Sequence, residues 1–138
     1  MAALTHLSII TPGSVKFEGS AEIVVAPGAA GDLGALANHA PLLTTLRTGV
    51  VRATVADGTT RRIEYAVDGG LMQVLPDKVI ILTDLALARG EVDVEEARRD
   101  LKRSEEALAH KRGGDDDAER KAVAWAQARL DVAQRPGV

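Results

Sequence analysis

Apolar and polar positions alternate with a period of two through the first part of the chain, and the period changes to three and four in the last part. Thr5–Thr11 places Leu7 and Ile9 on one side and stops at Pro12-Gly13, as a strand running into a turn does. Residues 14–18 alternate again with Val15 and Phe17 on one face, and Gly19-Ser20 predicts a turn. Residues 21–26 read as a more fully buried strand ended by Pro27-Gly28. Gly28, Gly31, Gly34 and Pro41 then predict a tight loop across one end of the β structure, with Asp32 and His39 at its tip. Residues 48–56 and 59–67 flank Asp57-Gly58, a hairpin signal that favours a type I′ turn. Asp68-Gly69-Gly70 and Pro76-Asp77 bracket residues 71–75 and lead into residues 78–83. Seven or more short strands without long helical patterns between them predict a β-sandwich or flattened barrel.

From Glu91 onward Val94, Ala97, Leu101, Ser104 and Leu108 fall on one helical stripe. Gly113-Gly114 ends that helix, and Asp115-Asp116-Asp117 supplies the acids that favour a new helix start. Ala118, Ala122, Trp125, Arg129 and Val132 form the second stripe, which Pro136-Gly137 stops. The product is an antiparallel two-helix hairpin. The expected organisation is a sandwich domain over residues 1–86 and the hairpin over residues 87–138, with residues 85–90 as the hinge. The stripes are narrow and rich in alanine. At roughly 25 cal/mol per Å² such a unit is held weakly unless it docks on something.

Charge sharpens this division. Residues 1–88 hold 6 Lys/Arg and 8 Asp/Glu, whereas residues 89–138 hold 11 and 12. The chain of 138 residues is large enough for one core with an appendage. No apolar run of membrane-spanning length occurs, and the start lacks the pattern of a signal peptide. The net charge of −3 and the three aromatic residues argue against nucleic acid as a partner. Zero cysteines exclude disulfides and thiolate chemistry.

Catalytic chemistry finds no support. His6, His39 and His110 sit on a strand, a loop and a helix end, and the common nucleophile, zinc and phosphate-loop motifs are missing. Gly28, Gly31 and Gly34 are evenly spaced, but no helix follows them to receive a phosphate. On the residues alone, His39 reads as a loop histidine hydrogen-bonded to backbone and Asp32 as an acid that holds a turn. Loops on a rigid β scaffold are also where binding concentrates.

The wording of residues 31–46, G-D-L-G-x-L-x-x-H-A-P-L-L-T-x-L, resembles the epsilon subunit of bacterial F-type ATP synthases, called delta in mitochondria. Residues 68–84 are similar to the last β-hairpin of that family, and residues 92–97 with Leu108 to its first C-terminal helix. The family fold, a sandwich followed by a helical hairpin, is the one that the patterning gives. The resemblance implies a non-catalytic subunit of the central stalk that links gamma to the c-ring of a proton-translocating synthase. It places the chain at the cytoplasmic face of the bacterial plasma membrane, attached only through partners. Asp32, Asn38, His39 and Leu42 then fall at the rotor interface. The hairpin restrains ATP hydrolysis by reaching the catalytic alpha/beta head, with Arg98, Arg99, Lys102 and Arg103 as its basic contacts.

Some members bind ATP at the hairpin through aliphatic-Asp-x-x-Arg-Ala and further arginines. Here Asp93 keeps the acid, but Glu96 stands where the motif has arginine, and an anion there repels phosphate. Arg103 and Arg129 match two further arginines, while Trp125 replaces another. The expectation is no cofactor, with ATP binding weak or absent. The competing reading is a free-standing ligand-binding β-sandwich with a helical tail, which a polar pocket inside the sandwich would favour and an exposed apolar patch would not.

Overall fold

The computed structural model describes residues 3–134. Nine strands precede a two-helix hairpin: β1 (Thr5–Thr11), β2 (Ser14–Gly28), β3 (Gly31–Leu36), β4 (Leu42–Leu46), β5 (Gly49–Ala56), β6 (Thr60–Val67), β7 (Gly70–Val74), β8 (Lys78–Leu82) and β9 (Ala86–Ala88). A 3-10 turn, Arg89–Glu91, leads to α1 (Val94–Ala109) and α2 (Asp117–Gln134). The expected sandwich followed by an antiparallel hairpin is therefore the architecture observed.

The strands run β1-β8-β7-β4-β2-β5-β6-β9, and β1 also pairs with β2, so the first five close into a ring. β3 pairs with β2. Strand β2 belongs to both layers: its first half lies against β1 and its second half against β3 and β5. Leu7 and Ile9 of β1, Val24 and Ala26 of β2, Val51, Ala53 and Val55 of β5, Met72 and Val74 of β7, and Val79 and Ile81 of β8 fill the space between the layers. Each strand contributes alternate residues, the period-two rule of a pleated strand with one face on the core.

Four expectations about the strands and their connections need correction. Gly19-Ser20 is no turn: β2 passes through it as one strand and takes up the bend with a shift of register between Ala21 and Ile23. A β-bulge does what a break was expected to do. The glycine segment is not a loop crossing one end but strand β3, paired from Gly31 to Leu36 against β2. Asp57-Gly58 does not make a two-residue turn, because Ala56 pairs with Thr60 and leaves three residues between the strands. Residues 85–90 are only partly a hinge, since Ala86 is buried and β9 pairs with β6.

Gly70 is required by packing as well as by conformation. Its φ is +126°, and a Cβ there would lie 2.1 Å from the carbonyl oxygen of Leu82. That close approach lets β7 start tightly against β8.

The helices dock asymmetrically. On α1 the expected stripe holds, with Ala97 buried and Val94, Leu101, Ser104 and Leu108 half-buried. On α2 it does not hold throughout: Ala118 and Ala122 are exposed, whereas Ala126, Ala128, Leu130 and Val132 are buried. A helix covered on two sides buries more than one stripe. Ala128 and Val132, with Trp125 beside them, cover Ala66 and Val50 on the outer face of β5 and β6. The expected stop at Pro136-Gly137 lies outside the described residues.

Candidate interaction surfaces

The face of the β1-β8-β7-β4 layer that points away from the core carries an apolar patch set among Ser8, Lys78, Gln73 and Thr45. β8 is a run of apolar residues in which Val79 and Ile81 point inward, so Ile80 and Leu82 must point outward. Leu82 lies beside Leu71 of β7 and Ile10 of β1, and Ile10 beside Val15 of β2. Leu43 continues the face onto β4 through its neighbour Gln73. Leu43 is 67% exposed, Leu82 45% and Leu71 42%. An apolar groove of about 400 Å³ runs between Ile10 and Pro12 on one side and Leu71 and Leu82 on the other. An exposed apolar patch rimmed by polar residues is a candidate docking surface. The sequence carried a signal for it: an uninterrupted apolar strand needs cover on both faces.

The four interface candidates do not sit together. Asp32 is at the start of β3, where its carboxylate meets Arg47 at 2.6 Å and lies 3.9 Å from Arg52. Arg47 also donates to the Gly28 carbonyl, so the acid and the arginine fasten the β2–β3 and β4–β5 connections to each other. Asn38 and His39 follow the far end of β3, at least four residue steps, or about 13 Å, along the strand from Asp32. Asn38 has φ +66°, and its N–H donates to the Pro76 carbonyl at 2.6 Å. A His39 ring nitrogen, Nδ1, bonds the Ala40 carbonyl at 2.6 Å, which fixes the turn locally. Leu42 aligns with Val74 at the mouth of the core and is 37% exposed, less than its neighbour Leu43.

The hairpin presents its own arrangement. Arg98 pairs with Glu95, and Arg99 and Lys102 are exposed. The Asp93 carboxylate accepts from the Glu96 N–H at 3.0 Å as the N-cap of α1, and the Glu96 side chain is turned to solvent. Arg103 and Arg129 converge on one carboxylate, Asp100, which sequence reasoning passed over. Arg129 reaches it from α2 at 3.0 Å, and Arg103 from the next turn of α1. Burial pushes the Asp100 carboxyl up, but the hydrogen bonds and charges of Arg129 and then Arg103 outweigh it and hold it below the usual carboxylate range. The Arg129 guanidinium also stacks over Trp125, 5.3 Å from the ring centre.

The hinge is tied down as well. The Lys16 ammonium meets Glu91 at 2.6 Å, and the other oxygen of Glu91 accepts from the Ala88 N–H at 3.0 Å. Those two bonds, Lys16 first, hold the Glu91 carboxyl below its ordinary range. The largest of these clefts, about 670 Å³, lies along the seam of α2 with the β4–β5 connection and is rimmed by Arg47, Asp68, Asp84, Arg120 and Lys121. Asp115, Asp116 and Asp117 cluster at the start of α2, where Asp115 caps Asp117. No helix among the described residues is long and apolar enough to cross a membrane.

Residues 4–89 match the beta-sandwich domain of the ATP synthase delta/epsilon chain. The chain is 43% identical to the ATP synthase epsilon chain of Moorella thermoacetica, covering 96% of this chain and 98% of that one. It is 41% identical to the epsilon chain of Legionella pneumophila strain Lens, over 97% and 91%. In fold it is similar to a chain of the Euglena gracilis mitochondrial ATP synthase, OSCP/F1/c-ring assembly, with a TM-score of 0.80 over 98% of this chain and 84% of that one, at 18% identity.

Proposed function

The chain belongs to the ATP synthase delta/epsilon family, and from that premise we propose that it is a central-stalk subunit whose sandwich joins gamma to the c-ring and whose hairpin restrains ATP hydrolysis. The apolar patch on the outer face of β1, β8, β7 and β4 carries the proposal. It sits on the layer opposite the one that holds α2, so a partner can occupy it without displacing the hairpin. We assign this face to gamma. The turn holding Asn38 and His39 and the Asp32–Arg47 corner are assigned to the rotor contacts at its ends. The chain is no enzyme by itself in this reading, and it meets the membrane's cytoplasmic face only through its partners.

The alternative of a free-standing ligand-binding sandwich has less support, because the clefts described above lie on the outside and the interior is filled by aliphatic side chains. Copurification decides between the two. Tagged chain expressed in a bacterium with an F-type synthase is expected to bring down gamma and c-ring from a membrane extract. Recovery of the chain alone from such an extract would reject the subunit reading.

The hairpin's arginines bear on ATP. With Arg103 and Arg129 held by Asp100, and Glu96 in the motif position, a triphosphate meets paired guanidinium groups and an added negative charge. Isothermal titration of the isolated chain with ATP is expected to give no saturable heat below about 1 mM, weaker than about −4 kcal/mol. A micromolar Kd would overturn this.

A further inference from the structure

We propose that Asp100 is a latch that closes the two helices of the hairpin on each other and ties that closure to docking on the sandwich. The chain of contacts is continuous. Asp100 on α1 holds Arg129 on α2 at 3.0 Å. Arg129 lies over Trp125 and donates from Nε to the Trp125 carbonyl at 3.3 Å. Trp125 packs with Ala128 and Val132 on Val50 and Ala66 of the sandwich.

Exposure separates the two arms of the latch. The Arg129 side chain is 11% exposed, whereas that of Arg103 is 76% exposed. The Arg129 arm spans two helices and is largely removed from water, so loss of Asp100 leaves the Arg129 charge uncompensated at the seam. The Arg103 arm lies within one helix in water and contributes little. Residues 110–116 connect the helices, and the stripes on each side of the seam are small: Ala97, Ala126 and Leu130 are buried, while Leu101 and Leu108 are only half-buried. A Lys111–Glu119 pair at 3.7 Å ties the connector to α2, and Asp100–Arg129 is the polar tie within the seam itself.

The test is hydrogen exchange on the full chain with a double-mutant cycle. In D100N and in R129M, amides of α1 and α2 are expected to exchange about tenfold faster, the scale of a lost hydrogen bond to a charged group. Amides of β7 and β8 are expected to keep their rates, which verifies that each variant folds. The double variant is expected to exchange no faster than either single one, because both remove the same contact. D100E, which keeps the charge, is expected to retain most of the protection, and R103M nearly all of it. Unchanged exchange in D100N, or single effects that multiply in the double variant, would overturn the latch. Its effect on hydrolysis rests on the reading of the hairpin as a brake. In the reconstituted complex D100N is expected to inhibit more strongly than the native chain. Faster exchange without stronger inhibition would leave the latch standing and reject the brake.

Discussion

Replacing Leu71 and Leu82 together by arginine is expected to abolish association with gamma while leaving the sandwich folded. The two leucines are neighbours across the β7–β8 ladder, and both point away from the core. Fully burying a leucine is worth about 1.5–3 kcal/mol, and these two are a little under half exposed, so losing both removes about 1.5–3 kcal/mol of binding. Desolvating two new charges against an apolar partner adds to that. With the charges included, the expected loss of affinity is at least about a hundredfold. Because both residues already meet solvent, the melting temperature is expected to move only a few degrees, as for ordinary surface substitutions. Titration of purified gamma by surface plasmon resonance, beside a thermal melt, measures both. Native-like affinity in the double variant would place the gamma contact elsewhere on the chain.

A chain ended after Val92 is expected to bind its partners as the full chain does and to release the restraint on ATP hydrolysis. The cut keeps Glu91, and with it the Lys16 contact and the bond to the Ala88 N–H, so β9 remains fastened. What is lost on the sandwich is the cover over Ala66 and Val50, a small area. The docking seam consists mainly of Ala66, Ala128, Val132 and part of Trp125, about 5 kcal/mol gross before the cost of ordering the helices. A docking of that size is one that a second binding place can compete for. The measurement is the hydrolysis rate of a catalytic head stripped of this subunit, with either form added back. Equal inhibition by both forms would remove the brake from the hairpin and leave only the linkage of gamma to the c-ring.

The parts of this structure visible in the sequence are those where one period dominates. The β7 alternation and the α1 stripe are read directly, because each element buries a single face. Where an element is covered on two sides, the periodicity blurs. Ala126 and Leu130 escaped the α2 stripe because α2 lies between α1 and the sandwich. Glycine misled twice, for different reasons. Gly19 sits inside a strand that bends, and Gly31 and Gly34 belong to β3, a strand at the border of its layer whose only ladder partner among the described residues is β2. Neither place demands a break in pairing, although glycine permits one.

The interface candidates show a second limit. Sequence proximity placed Asp32 and His39 at one tip, but an extended strand carries them to opposite ends of the layer. Asp100 was overlooked because the arginines around it were weighed against a nucleotide. Its partner Arg129 is 29 positions away, and only the packing of two helices brings the pair together. The outer apolar patch was legible in principle in the unbroken run of β8, which alternation alone cannot explain.

The parallel pairing of β1 with β8 joins His6 to Lys78 and Ile10 to Leu82, across some seventy residues of chain. In kinetic terms this is the slowest contact to make, since the entropy of closing the intervening loop is lost before the pairing rewards it. The β1–β2 hairpin forms from adjacent sequence and emerges first during synthesis, so its other edge must wait for β8. Until then β1 offers an unpaired strand edge with Leu7 and Ile9 beside it. The two helices, built from local contacts, fold fast but have no sandwich face to dock on until β5 and β6 are in place. Ring closure is thus the step at which this chain is most exposed to misassembly with its neighbours.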